Sequence, residues 1–463
     1  MERSLVAKSF LLAIFLVNIH EYRAYTPPAA KVEPLHPTGL RISIPDEHGI
    51  TLVAFHVKFN EDFDGLEAGH IARDILKVRN QRWTYQDRQT QLKRDDIIYY
   101  WVHVVYQGLG YNLIDQSFRV VDFYNSDGTK YNSDTGEQSC TTTSTTWIFE
   151  NGERRQTCPR QLLFEDNFDN LNTTNWNSIQ RFAGAPDYEF VVYMTNDVTD
   201  VTDGRLRIKP ILLDTKFGTD YTSRGRLILE GCTGQVGSNE CQRQAAGSYI
   251  LPPLISGRLN TKGKFEFLFG RVEVRAKLPR GDWVYPLITL ESAENTWEFG
   301  LHREIRIASS VGNDELKTSS NENINNRLLS AGGLTASLNE SNAQSINLSK
   351  MPKRQSSKSW SDEFHIFEIE WQTGLIVVKV DGVQYGEQTM DGSFSKPSYL
   401  TLAVAVGGIH EFADHVTSAG NVKPWRNVEA KAMYKFYRAK DNWYPTWNSQ
   451  TGLQVDYVKI WAL

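Results

Sequence analysis

The chain is 463 residues long, 40% hydrophobic and 23% charged, a balance that supports large packed cores and excludes a disordered polymer. Its formal net charge of -5 at pH 7 gives no support for nucleic acid or an anionic membrane as partner. The length predicts two or three domains, and 12 Trp with 20 Tyr supply rings for cores and for the flat apolar platforms of sugar-binding clefts.

At the start, basic Arg3 and Lys8 precede an apolar run from Phe10 to Val17 that is too short to span a bilayer. Residues 1–24 therefore read as a secretory signal cut after Ala24, and the mature chain is expected to be extracellular with no membrane span. In that setting the four cysteines favour disulfides over a metal site, which would call for closer Cys-x-x-Cys pairs. Local pairing, Cys140 with Cys158 and Cys232 with Cys241, is the expected choice among three connectivities. Sequons stand at Asn172, Asn339 and Asn347. No metal and no cofactor is implied: His302, His365 and His410 lack ligand spacing.

Residues 25–125 predict a small β-sandwich. Leu40 to Asn60 contains two alternating runs around Asp46-Glu47-His48-Gly49, and Ile97 to Asn112 contains another, ended by Gly108 and Gly110. Within this unit Trp83 and Tyr85 sit two apart and so share a strand face, where they could stack on glucose rings. Asp87, Arg88 and Asp46 supply hydrogen-bonding groups for hydroxyls. Residues 126–160 turn polar, with a Ser/Thr run from Ser139 to Thr146, and predict a linker. From residue 161 to 463 strands dominate again. Gly263 to Pro279 alternates, Phe364 to Gly382 predicts a hairpin around Thr373-Gly374, and Leu453 to Trp461 predicts a closing strand. Residues 316–358, rich in Ser and Asn, predict a long loop.

The segment Glu304-Ile305-Arg306-Ile307-Ala308-Ser309 alternates as a strand, so residues 304 and 306 share a face while 309 needs a bulge to join them. It stands in a frame running from FGRVEVRAKLPRGDWVYP (Phe269 to Pro286) through EIRIASSVGN (Glu304 to Asn313). That frame, with LAVAVGGIHEF (Leu402 to Phe412), KPWRN (Lys423 to Asn427), DNWYPTWN (Asp441 to Asn448) and the terminal VDYVKIWAL, resembles the laminarinase-like branch of glycoside hydrolase family 16. The resemblance implies a concanavalin-like jelly roll with a concave glucan-binding face, and Trp283 and Tyr285 as a cleft platform. Active members carry Glu-x-Asp-x-x-Glu where this chain has Glu304, Arg306 and Ser309. Only the nucleophile position survives, and a serine hydroxyl cannot serve as the second carboxyl that retaining hydrolysis requires.

Preceding it, SIPDEHGITLVAFHVKFNEDFDGLEAG (Ser43 to Gly69), ARDI (Ala72 to Ile75) and RWTYQDR (Arg82 to Arg88) look like a carbohydrate-binding family 39 module of immunoglobulin-like fold. Related modules are expected to carry an aromatic just before ARDI, where this chain has His70-Ile71. The two modules in this order resemble the insect β-1,3-glucan recognition proteins, also called Gram-negative bacteria-binding proteins. That implies an extracellular, non-catalytic receptor for microbial polysaccharide, feeding a serine-protease cascade of Toll-type signalling or melanisation. The rival readings are a secreted β-1,3-glucanase whose acid comes from elsewhere, such as Glu291 or Glu298, and a paralogue that has lost both functions.

Overall fold

The computed structural model describes residues 25–463 apart from 37, 88–89, 126–127, 132–142, 151–152, 295–300, 339–343 and 347–349. The expected signal 1–24, Arg88, Cys140, Glu298, Asn339 and Asn347 lie outside the described residues. The fold is all-β. The first module packs a sheet of Lys31–Pro34, Leu40–Pro45 and Arg82–Asp87 against a second sheet in the order Ile71–Ile75, Ile50–Phe59, Ile97–Tyr106, Leu109–Arg119. Alternation dictates the sandwich: Leu40, Ile42 and Ile44 from one sheet meet Val53, Phe55 and Val57 from the other, all essentially buried. The two runs around Asp46 to Gly49 thus belong to opposite sheets, and the turn carries the chain across the core.

This module extends past the expected boundary. Phe123–Tyr124 pairs with Lys130–Tyr131, Leu35 bridges to Tyr124, and His36 stacks on Tyr131 with ring centroids 3.6 Å apart. The expected linker is also shorter than 126–160, because Trp147–Glu150 and Glu153–Gln156 form a hairpin that joins Glu266–Leu268 in the largest sheet. A polar composition misled here: Glu153–Gln156 is an exposed edge strand, so little in it alternates toward a core.

The second module is a jelly roll of two sheets. The larger runs through Glu266–Leu268, Ser398–Val406, Val284–Ser292, Leu301–Ser309 and Leu328–Leu338. The other is built on Leu453–Trp461, Gly270–Lys277, His365–Gln372, Leu375–Val380 and Val383–Thr389. Val272, Val274, Phe367, Ile369, Val455 and Val458 from this second sheet are fully buried in the core between the two. Truncating Ile369 to alanine typically costs ~2–5 kcal/mol. Val284–Ser292 and Ser398–Val406 are buried along their whole length, one face in the core and the other under the cleft.

Residues 316–358 are not a loop throughout, since Leu328–Leu338 and Lys353–Gln355 enter the large sheet beside the candidate site. Gly332 and Gly333 hid that strand by breaking its alternation. Gly332 has φ +135°, and the Gln388 side chain holds Gly333 by accepting from its N–H and donating to its C=O, each at 2.9 Å. Cys232 and Cys241 form a disulfide that closes the Gly-rich excursion between Arg226–Ile228 and Gln242–Gln244. Cys158 is also disulfide-bonded.

Each module has its own core, with no residue shared between them. A fragment of residues 25–131 is therefore expected to unfold by itself in one cooperative transition followed by circular dichroism in urea. A broad, non-cooperative melt of that fragment would contradict an independent first core.

Candidate functional site

Strand Leu301–Ser309 brings His302, Glu304 and Arg306 to one face at two-residue spacing. Its pairing with both neighbours slips by one residue around Ile307, where Ile288 and Thr289 oppose Ala308 and Arg306. That bulge turns Ser309 toward Arg306. Tyr285, Leu287 and Glu291 from Val284–Ser292, Tyr399 from Ser398–Val406, and Arg258 complete the walls. The cleft volume is about 150 Å³, below the roughly 300–1,000 Å³ usual for ligand pockets.

A chain of charges fills this space. Arg306 Nε donates to Glu304 Oε1 at 2.9 Å, and its Nη1 donates to Glu411 Oε2 at 2.6 Å and to Ser309 Oγ at 3.3 Å. His302 Nε2 lies 3.1 Å from Glu304 Oε2, and because an ionised carboxylate only accepts, the imidazole donates. Burial alone would raise the Glu304 carboxyl, but the Arg306 charge and the His302 hydrogen bond hold it at about 2. Burial likewise disfavours the Arg306 cation, yet Glu411 and Glu304 together push its pKa above the ordinary value.

The remaining carboxyls are also engaged. Arg258 Nη2 meets Glu291 Oε1 at 2.6 Å, and the Tyr399 hydroxyl donates to Glu291 Oε2 at 3.0 Å. Burial opposes the Glu291 charge, and Arg258 overcomes it, lowering the pKa. Glu189 accepts from the Tyr193 hydroxyl at 3.1 Å. Asp187 accepts from Tyr285 through one oxygen and from the N–H groups of Ile409 and His410 through the other, at 2.9 and 2.6 Å. Burial, reinforced by the Glu189 charge, raises the Asp187 carboxyl well above its usual range. Every carboxylate lining this cleft among the described residues thus has a partner, and no two are left as a free nucleophile and a free acid.

Other expected site residues fall elsewhere. Trp283 is 2% exposed and packs edge-on against Phe412 and Trp425, with centroids 5.1 Å away in each case. It belongs to the core under the cleft. Tyr285 lines the cleft but is fully buried and tied to Asp187, so the pair forms no exposed platform. In the first module Trp83 and Tyr85 are 4% and 6% exposed. Parity assigns them to the core and leaves Arg82, Thr84 and Gln86 on the outer face, so neither ring is open for stacking. Trp83 Nε1 donates to Asp46 Oδ1 at 2.7 Å, and Tyr85 OH approaches Asp87 Oδ2 at 3.4 Å. Asp87 also accepts from Thr90 N and Oγ1 at 2.8 and 2.9 Å.

Arg258, Glu411, Asp187 and the role of His302 were missed by reading the sequence. His302 carried a usable signal, since it shares the parity of Glu304. Arg258 and Glu411 did not, because their partners lie 33 and 105 residues away. Among the described residues no group of three His, Cys, Asp or Glu side chains is placed to hold a metal ion. Nor is any helix long and apolar enough to cross a membrane.

The two-module, all-β architecture has counterparts among known proteins. A carbohydrate-binding model, CBM39, described as "Carbohydrate binding domain (family 32)", matches residues 26–142. The model for glycosyl hydrolases family 16 matches residues 253–424. The chain is 35% identical to beta-1,3-glucan-binding protein 1 of Manduca sexta over 98% of its own length and 99% of that protein. Beta-1,3-glucan-binding protein of Tenebrio molitor is 36% identical, with 98% and 100% covered. Gram-negative bacteria-binding protein 3 of Drosophila melanogaster is 32% identical, with 95% of each covered. The chain belongs to this family of glucan- and bacteria-binding proteins.

Substituting Arg306→Ala leaves Glu304 and Glu411 facing each other in a buried site without their cation. Breaking a buried pair in this way typically costs about 3–5 kcal/mol, and a loss of that size is expected in urea denaturation of the full chain at neutral pH. A stability within experimental error of wild type would show that the network carries no structural weight.

Proposed function

We propose that this chain is an extracellular, non-catalytic pattern-recognition protein that binds microbial β-1,3-glucan or a related surface polysaccharide and triggers innate immune signalling. The single observation that carries the non-catalytic part is the fate of Glu304. Retaining hydrolysis needs a nucleophilic carboxylate and a protonated carboxyl roughly 5 Å apart. Here Glu304 is held ionised between Arg306 and His302, and the acid position carries Ser309, whose hydroxyl accepts from Arg306. The relatives, named as glucan- or bacteria-binding proteins, support recognition as the retained role.

Recognition falls on the first module around strand Arg82–Asp87. Asp46 and Asp87 offer acceptors to sugar hydroxyls, Trp83 and Tyr85 support them from beneath through the hydrogen bonds described, and Arg88 follows directly in sequence. The downstream partner is a serine protease of an immune cascade. Secretion fits the disulfide chemistry, because such bonds persist in oxidising compartments.

A glucanase with a displaced acid would need another proton donor in the cleft. Asp187 has the raised pKa such a role requires, but both its oxygens accept hydrogen bonds that fasten the Gly407 to His410 turn. Adding a side chain at Gly408 would collide with the same carboxylate.

The purified chain is expected to sediment with insoluble β-1,3-glucan while releasing no reducing sugar from laminarin. Loss of a general acid/base alone removes ~10²–10⁴ in rate. Turnover comparable to an active laminarinase, abolished by Glu304→Gln or Asp187→Asn, would overturn the receptor reading. Failure to sediment would remove glucan as the ligand.

A further inference from the structure

A cleft of about 280 Å³ lies where the two modules meet, nearly twice the volume of the cleft around Glu304. One wall is Tyr85, Gln86 and Asp87, at the end of the strand to which recognition was assigned. The other is the turn from Asn167 to Asn172, which belongs to the jelly roll. Both walls are held in place. Asp166 anchors the turn by accepting from Phe168 N at 2.9 Å, Asn175 Nδ2 at 3.0 Å and Trp176 Nε1 at 2.8 Å. Across the junction Arg79 of the first module donates to the carbonyl oxygens of Asn167, Gly204 and Asp456, and Lys77 pairs with the Asp456 carboxylate.

The lining chemistry selects a ligand class. Carboxamides set donors and acceptors side by side, the pattern that sugar hydroxyls match, since each hydroxyl donates once and accepts twice. Asn167 Oδ1 is buried behind the wall, out of reach of a ligand, so the exposed Asn170 is the amide that faces an incoming hydroxyl. Charge narrows the choice further. Four carboxylates, Asp87, Glu165, Asp166 and Asp169, line the cleft with the guanidinium of Arg73, while Lys459 and Arg79 pair with Glu165 and Asp169 at 3.1 and 3.7 Å, so an excess of negative charge remains. A phosphate- or carboxylate-bearing polymer would be repelled, and a neutral hexose would not.

We propose that this cleft is a neutral-saccharide subsite completed by the second module, in which a glucan chain leaving strand Arg82–Asp87 hydrogen-bonds Asn170. The proposal rests on the reading that this chain binds β-1,3-glucan, and it adds that the first module carries only part of the site. Asn172, in the sequon Asn172-Thr173-Thr174, stands at the same cleft, so a glycan on the chain itself could bring the same hydroxyl chemistry there.

Isothermal titration of the full chain with a linear β-1,3-linked glucohexaose tests it. Asn170 is exposed, so Asn170→Ala and Asn170→Trp should both fold, which the melting temperature checks. The first removes an amide and the second fills the cleft. Asn170→Trp is expected to weaken hexaose binding by about tenfold or more and Asn170→Ala by a few-fold. Equal affinity in wild type and both variants overturns the subsite while leaving glucan recognition by the first module intact. No hexaose binding by wild type or by Thr174→Ala, which deletes the sequon, overturns both readings. Binding that appears only in Thr174→Ala supports the subsite and assigns its natural occupant to the chain's own glycan.

Discussion

The guanidinium of Arg306 is the group on which the jelly-roll cleft depends. Two buried carboxylates, Glu304 and Glu411, converge on it from elements far apart in sequence, and a third contact reaches Ser309. Buried anions must be paired or they neutralise. Arg306 supplies that pairing, so a strand built like a catalytic one becomes a structural strut. The same ion engages the Glu304 carboxylate, and the side chain that faces it across the bulge is the Ser309 hydroxyl, not a second carboxyl.

The surroundings repeat the pattern. Arg258 and Tyr399 hold Glu291, and Asp187 is spent on Tyr285 and two backbone N–H groups. Little of the cleft is left as open volume or as free hydrogen-bonding capacity. The cleft at the module junction is larger, and its Asn170 side chain is exposed. A division of labour follows from packing. The jelly roll contributes one wall of the junction cleft, and the end of strand Arg82–Asp87 in the first module contributes the other.

The architecture was legible in the sequence wherever one face of a strand is buried. The hairpin His365–Gln372 with Leu375–Val380 and the closing strand Leu453–Trp461 both alternate cleanly and were anticipated. Legibility failed where a strand has no apolar face, as at Glu153–Gln156, or where glycines interrupt it, as at Gly332-Gly333. Composition also misdirected the choice of aromatic platforms. Trp83, Tyr85 and Trp283 have the right chemistry for sugars, but strand parity and neighbouring rings commit all three to cores. The retained Glu304 and the substitutions at Arg306 and Ser309 were visible from family resemblance. What they do was not, since Glu411 reaches Arg306 only through the fold.

The central claim is that Arg306 keeps Glu304 permanently charged. It is tested most directly by a carbon-13 NMR titration of the Glu304 side-chain carboxyl in the full chain, with the resonance assigned by its disappearance in Glu304→Gln. The carboxyl is predicted to remain ionised through the ordinary glutamate value of 4.5, with its midpoint near about 2. A midpoint at or above 4.5 would contradict the claim, because a carboxyl that takes up a proton there is not held by the Arg306 charge and the His302 hydrogen bond.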